Sequence, residues 1–345
     1  MSDKQVLITG ASGYLGSWIL REFLAEGWSV IGSVRDISRT EKVGHLEELA
    51  QRLPGSLELL EADLLEEGSF DEAARRVSVI VHAASPFLVG EVENPREQLL
   101  RPAVEGTRNV LHAALRSESV KRVVLTSSVV AVHNDSKEIN KTDKGYFTEA
   151  DWNQSGSLRY QPYNYAKSEA EREAWRIADG ADWKLVVLNP GLILGPSLSN
   201  RGDSTSTKLL LRLLGGEFSS GAPALSFGVV DVREGARAHY EAAVRDAAEG
   251  RHILVATHAT FLEIAQTLDR LYPGAHPVPK RELPKGLLYL FGPKSGLSWR
   301  YIRRNVGIPV RYDNRKSKER LGLFYRPLEE TLRDQCIQLL EDGLL

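Results

Sequence analysis

Cysteine is almost missing from this chain. Cys336 is the only one in 345 residues, which excludes an internal disulfide and suits a reducing compartment. Near the end of an amphipathic stretch, that thiol is expected to pack rather than to react. A surplus of one charge is missing too. With 44 Lys and Arg against 46 Asp and Glu, the formal net charge is −2, so no general attraction to nucleic acid or to an anionic membrane is expected. No apolar run approaches the ~20 residues of a membrane span, and no secretory segment is expected ahead of the first strand. Internal repeats and low-complexity tracts are absent as well. The expectation is a cytoplasmic protein without membrane or nucleic-acid partners, large enough for one large core or two unequal lobes.

What is present begins with a strand-like run, Gln5-Val6-Leu7-Ile8-Thr9, followed at once by Gly10-Ala11-Ser12-Gly13-Tyr14-Leu15-Gly16. A helical pattern over 17–26 and a second strand over 29–34 come next. Strand, glycine turn, helix, strand is the context a dinucleotide-binding fingerprint requires. Its glycines let backbone N–H groups approach a pyrophosphate at a helix N-terminus. Further strand-like runs lie at 56–61, 77–81, 122–126 and 184–188, separated by amphipathic stretches at 41–52, 71–76, 94–115 and 163–178. This alternation predicts an α/β fold, a doubly wound Rossmann parallel sheet covered by helices on both faces. Residues 1–190 are expected to form the nucleotide-binding domain, with a returning strand near 251–256. The more irregular, Pro- and Gly-richer 191–345 would form mainly a smaller substrate-binding lobe.

Two further segments carry chemistry. Tyr163 and Lys167 lie four residues apart in helix-forming sequence, which puts both on one face. A free phenol titrates near pH ~10, and the lysine charge is expected to lower that value toward neutrality. Val123-Val124-Leu125-Thr126 ends in Ser127 and Ser128, and ligands of a doubly wound sheet sit beyond the carboxyl ends of its strands. Ser128 is therefore placed to donate a hydrogen bond to a carbonyl or alkoxide.

With these segments the chain resembles the extended short-chain dehydrogenase/reductases, in the branch of dihydroflavonol reductases, cinnamoyl-CoA reductases and microbial aldehyde and ketone reductases. The likeness runs through 9–16, Val34-Arg35-Asp36, Ala62-Asp63-Leu64, His82-Ala83-Ala84-Ser85-Pro86, Thr126-Ser127-Ser128, Tyr163 to Lys167 and Asn189-Pro190-Gly191. A weaker match continues through 313–331. The resemblance implies Tyr163 as acid/base, Lys167 as its modulator and a nicotinamide-ribose ligand, Ser128 orienting the carbonyl, and Ser127 nearer the cofactor. It implies Gly10, Ser12, Gly13, Tyr14, Leu15 and Gly16 around the pyrophosphate, and Asp63 and Leu64 at the adenine. Ala83 and Ala84 would form the next strand end, with Pro190, Gly191, Leu192 and Ile193 at the nicotinamide. Where an NAD enzyme places an acid, the second strand ends in Arg35, with Lys42 seven residues on. In the resembling reductases such a pair binds a 2′-phosphate, so NADPH is the expected cofactor.

The expected substrate is a small-molecule carbonyl compound, bulky or aromatic, in a pocket lined by Phe87, Val129 and Val130. His133 falls where plant dihydroflavonol reductases carry a substrate-facing Asn and is expected on the pocket wall. Cinnamoyl-CoA reductases carry Asn-Trp-Tyr-Cys-Tyr-Gly-Lys where this chain has Gln161-Pro162-Tyr163-Asn164-Tyr165-Ala166-Lys167, which points away from a CoA thioester. The leading activity is therefore an NADPH-dependent carbonyl reductase. The alternative is a nucleotide-sugar epimerase or dehydratase of the same fold, disfavoured by the apolar residues after Ser128. A non-catalytic regulator is disfavoured by the presence of both Tyr163 and Lys167. His82, His112, His239 and His258 lack metal-ligand spacing, and no metal is expected. Twelve Lys and Arg against three Asp and Glu between Lys280 and Arg320 are expected to form a solvated basic face. A monomer or homodimer is expected.

Overall fold

Val6, Leu7 and Ile8 are buried on both faces of their strand, as in the interior of a parallel sheet. The computed structural model describes residues 4–85, 92–200, 202, 204–292 and 296–345. That first strand, β1 (Gln5–Thr9), is followed by α1 (Tyr14–Ala25), β2 (Ser29–Val34), α2 (Thr40–Arg52), β3 (Ser56–Glu61), α3 (Asp71–Ala74) and β4 (Val79–His82). Then come α4 (Arg101–Leu115), β5 (Arg122–Thr126), α5 (Pro162–Ala178), β6 (Lys184–Pro190), β7 (Leu192–Leu194) and α6 (Thr205–Leu214). The chain continues through β8 (Ser226–Asp231), α7 (Val232–Val244), β9 (Gly250–Leu254), β10 (Thr257–Thr260) and α8 (Phe261–Leu271). It closes with α9 (Lys285–Phe291), α10 (Trp299–Asn305), α11 (Arg315–Leu321) and α12 (Leu328–Glu341).

Seven strands form one parallel sheet in the order β3-β2-β1-β4-β5-β6-β9. The order reverses between β1 and β4, where Thr9 pairs level with His82, and a crevice for a ligand opens at such a switch point. One face is packed by Ile19, Phe23, Leu46, Ala238 and Ala242 of α1, α2 and α7. The other is packed by Ala73, Val110, Leu111, Ala174 and Ile177 of α3, α4 and α5. The fold is thus a doubly wound Rossmann-type α/β sandwich, and both α7 and β9 reach it from beyond residue 190.

A second, three-stranded sheet, β10-β8-β7, pairs β7 parallel and β10 antiparallel to β8. Leu210, Leu213, Ile264, Leu268, Leu332 and Leu339 of α6, α8 and α12 share a separate core with it. The helical pattern expected over 94–115 is interrupted. A π-turn at Arg96–Leu100 runs directly into α4, and Pro102, which has no N–H to donate to the preceding turn, sits just past the junction.

Candidate active site

The loop after β1 is built for close approach. Gly10 has φ +70°, and a Cβ there would lie 2.9 Å from Ala84 Cα. A Cβ on Gly16 would lie 2.1 Å from the Gly10 carbonyl oxygen. Ala84 N–H donates to Thr9 Oγ1 at 3.1 Å, so the end of β4, with Ala83 half-buried beside it, is fastened to the loop. Gly13 caps α1 with no side-chain hydrogen bond, and the first turn holds no acidic residue. The positive end of the helix, with Tyr14, Leu15 and Gly16, is left to whatever anion approaches it. Ser12 lies on the loop, half-buried. Tyr14 Oη donates to the Gly195 carbonyl at 2.6 Å, and Trp18 Nε1 donates to the Pro196 carbonyl at 2.8 Å. The loop helix is thereby tied to the segment just past β7.

Arg35 follows β2, is exposed and makes no ion pair among the described residues. Lys42 stands near Asp36, whose carboxyl is held below its usual value by the Ser38 hydroxyl, then by Arg39 and Lys42. Asp63 Oδ1 accepts Leu65 N–H at 2.8 Å, and Leu64 packs against Gly106. Among the described residues, the first turn of α1 holds no acidic side chain, Arg35 past β2 makes no ion pair, and glycines stand where a Cβ would collide.

At the end of β5, Ser128 caps a 3-10 turn over Val129–Ala131, Val130 N–H donating to its Oγ at 3.3 Å. The same hydroxyl reaches the Pro190 carbonyl at 3.4 Å. Lys167 Nζ donates to the Thr126 carbonyl at 3.2 Å, so its ammonium and the Ser128 hydroxyl share the carboxyl end of β5. Tyr163, one turn earlier on α5, is half-buried against Leu99, Ala103, Ala166 and Ala170. Burial pushes its phenol above the usual value, opposite to the direction expected from Lys167. The reason is that burial disfavours both charged forms: it also lowers the lysine to about 8, against an opposing pull from Glu171.

Ser127 lines a small cavity with Ala84, Ser85 and Lys167. Its hydroxyl donates to Glu171 Oε2 at 2.5 Å and is buried there, so it faces α5. Glu171 also accepts Asn189 Nδ2 at 2.9 Å and Arg251 Nε at 2.5 Å, while Asn189 Nδ2 donates to the Ser128 carbonyl at 3.1 Å. Glu171 was not singled out from sequence. Its position one turn past Lys167 was visible, its burial against β9 was not.

Past β6, Pro190 is buried, and Gly191 N–H donates to the Leu254 carbonyl at 3.0 Å. Leu192 and Ile193 are half-buried on β7. Two expected pocket residues turn inward. In a 3-10 turn residues three apart are eclipsed, and Val129 and Val132 both enter a cluster with Phe147, Val255, Val310 and Tyr312. His133 follows them: its ring stacks on Phe147 at 4.1 Å and its Nε2 pairs with Tyr312 Oη at 2.6 Å. Burial holds its pKa down to about 4. Val129 and His133 therefore do not form an open wall; Val130, on the other side of the turn, stays half-buried. Phe87 lies outside the described residues. The basic stretch 280–320 is not all solvated either: Arg304 pairs with the buried Asp135, and Arg300 lies 3.8 Å over the Tyr160 ring.

The model of the NAD dependent epimerase/dehydratase family matches residues 6–256. A Medicago truncatula cinnamoyl-CoA reductase, CAD2, is 35% identical over 97% of this chain and 95% of its own. Tetraketide alpha-pyrone reductase 1 of Arabidopsis thaliana is 35% identical over 99% of this chain and 97% of its own. The crystal structure of yeast methylglyoxal/isovaleraldehyde reductase Gre2 complexed with NADPH superposes with a TM-score of 0.76 at 26% identity, covering 99% of this chain and 100% of that one. The chain belongs to the NAD-dependent epimerase/dehydratase family, the extended short-chain dehydrogenase/reductases, as an oxidoreductase of its reductase branch.

Proposed function

We propose that the protein is an NADPH-dependent carbonyl reductase acting on a bulky or aromatic aldehyde or ketone, with Tyr163 as proton donor. The observation that carries this reading is the gathering of Ser128 and Lys167 at the carboxyl end of β5, with Tyr163 one helical turn before Lys167 on α5. Gly10, Ser12, Gly13, Tyr14, Leu15 and Gly16 would hold the pyrophosphate, and Arg35 with Lys42 the 2′-phosphate. Asp63 and Leu64 would border the adenine, with Ala83, Ala84, Pro190, Gly191, Leu192 and Ile193 bordering the nicotinamide. When bound, NADPH supplies the hydride.

The remaining work belongs to the side chains. Ser128, whose present bonds are long at 3.3 and 3.4 Å, donates to the substrate oxygen. Tyr163 keeps its proton at neutral pH because burial raises its phenol, and gives it up only to the stronger base that a reduced carbonyl oxygen becomes. Lys167, charged below about 8, stabilises the phenolate left behind. The NADPH held by the yeast relative supports the cofactor, and the aldehydes in that relative's name support a free carbonyl over a thioester. The cinnamoyl-CoA and tetraketide alpha-pyrone named for the plant relatives support a bulky acceptor, the first of them being itself a thioester.

The test follows NADPH absorbance with cinnamaldehyde and a series of aryl ketones, with UDP-glucose and UDP-galactose assayed under the same conditions. Loss of absorbance with the aryl carbonyls is the expected result. Conversion of a sugar nucleotide, with no carbonyl consuming NADPH, overturns the reductase reading in favour of epimerisation.

A further inference from the structure

Among the described residues, Gln161 is the only non-glycine with a positive φ, at φ 54° and ψ 60°. It stands two residues before Tyr163, with Pro162 between them at the first position of α5. The left-handed region is unfavourable for a residue carrying a Cβ, and such conformations persist where the surroundings enforce them. The Gln161 side chain makes no capping bond to the helix backbone, so ordinary helix capping does not account for it.

What enforces the conformation is a buried polar cluster. Gln161 Nε2 donates to the Asn134 carbonyl at 2.9 Å and to Asp135 Oδ1 at 3.0 Å, while its Oε1 accepts Asn164 Nδ2 at 2.9 Å. Asp135 has no exposed side-chain surface. Its carboxylate also accepts Tyr160 Oη at 2.6 Å, Asn305 Nδ2 at 2.8 Å and Arg304 Nε. Asn305 in turn accepts Ser136 N–H at 2.9 Å. Arg304 and Asn305 belong to α10, far along the chain from α5. One carboxylate thus joins the entrance of the helix carrying Tyr163 to a helix of the C-terminal part of the chain.

We infer that Asp135 and Gln161 are positioning residues that set the first turn of α5, and with it Tyr163, and that Arg304 couples this setting to α10. The inference rests on Tyr163 being the proton donor. The left-handed residue and Pro162 together fix the entry of the chain into α5, and the amide bonds of Gln161 fix the left-handed residue. A shift of about 1 Å at a reacting group can reduce turnover on the order of 100-fold.

Gln161→Gly separates the two roles of the residue, because glycine adopts positive φ freely while removing the tether. The expected result is an unfolding midpoint little changed, the lost bonds offset by the relieved strain, with NADPH affinity unchanged in a fluorescence titration. kcat with cinnamaldehyde falls on the order of 10- to 100-fold, and amide hydrogen exchange over 163–166 is faster. Arg304→Met is expected to speed exchange over the same residues, again with NADPH affinity unchanged. Tyr163→Phe is the reference. If Tyr163→Phe abolishes turnover while Gln161→Gly retains kcat within twofold, the positioning role is overturned and the proton-donor assignment stands. If Tyr163→Phe turns over normally, the proton-donor assignment itself fails. If Gln161→Gly lowers the midpoint and NADPH affinity together with kcat, the residue is merely structural and the inference is likewise overturned.

Discussion

The Ser127 hydroxyl donates to Glu171 Oε2 at 2.5 Å, and neither group is open to solvent. Through that carboxylate, α5 grips Ser127 after β5, Asn189 on β6 and Arg251 on β9. Arg251 is itself buried, so deleting Glu171 leaves a guanidinium without its counter-charge. Breaking such a pair from one side costs about 3–5 kcal/mol. Glu171→Ala is expected to lower the unfolding free energy by that amount in guanidinium titrations. A loss below about 1 kcal/mol would show that Arg251 finds water and that the pair contributes little.

Tyr163→Phe removes the phenolic proton and leaves the ring that packs on Leu99 and Ala103. Turnover should fall by a factor on the order of 10²–10⁴, with stability and NADPH binding retained. Tyr165→Phe should remain near normal. If single-turnover measurements find the reverse pattern, the proton comes from Tyr165.

The sheet was legible because its inner strands are buried on both faces and read as short β-branched runs between helical periods, while the edge strand β3 alternates leucine with polar residues. Observed bounds differ from the expected ones by a residue or two, as at Val79–His82 and Gly250–Leu254. The small sheet was not legible. Leu192–Leu194 is three residues long, and Thr257–Thr260 is polar and partly open, so neither carries a strand signal apart from its partner, Ser226–Asp231. At the site, glycine spacing and the Tyr163/Lys167 interval were local patterns and could be read. The inward turns of Val129 and His133 depend on Phe147 and Tyr312, and the bond of Ser127 on Glu171, all distant in sequence. The same holds for Arg304, whose charge looked like surface until Asp135 came to lie beneath it.

Arg35 is exposed and makes no ion pair among the described residues, so replacing it should leave stability within about 0.5 kcal/mol. Its contribution is to the cofactor. A charge-assisted hydrogen bond is worth about 1.5–3 kcal/mol, which corresponds to roughly a 10- to 150-fold change in affinity. Arg35→Ala should weaken NADPH binding by that factor and leave NADH binding nearly unchanged. Equal kcat/KM with NADPH and NADH in the unsubstituted enzyme would remove the 2′-phosphate role from Arg35.

Lys167 sets a conflict between stability and turnover that pH resolves. Burial lowers its ammonium from 10.5 to about 8 in the folded protein. Between those two values the unfolded chain binds the extra proton, so stability rises with pH across the interval. The cost of burying the charge is therefore present in full below about 8 and fades toward 10.5. At about 1.4 kcal/mol per pH unit, and allowing for the lost bond to the Thr126 carbonyl, Lys167→Met should stabilise the cofactor-free protein by roughly 1–3 kcal/mol at pH 7. That gain should vanish above pH 10.5 while turnover is lost at every pH. In the unsubstituted enzyme, turnover should decline as pH rises through about 8, where the ammonium loses its proton. Guanidinium unfolding of both proteins at pH 7 and at pH values above 8 measures the difference directly. A Lys167→Met protein less stable than the parent at pH 7 would mean that the ammonium is held by more than the Thr126 carbonyl and Glu171, and that its charge is no burden to the fold.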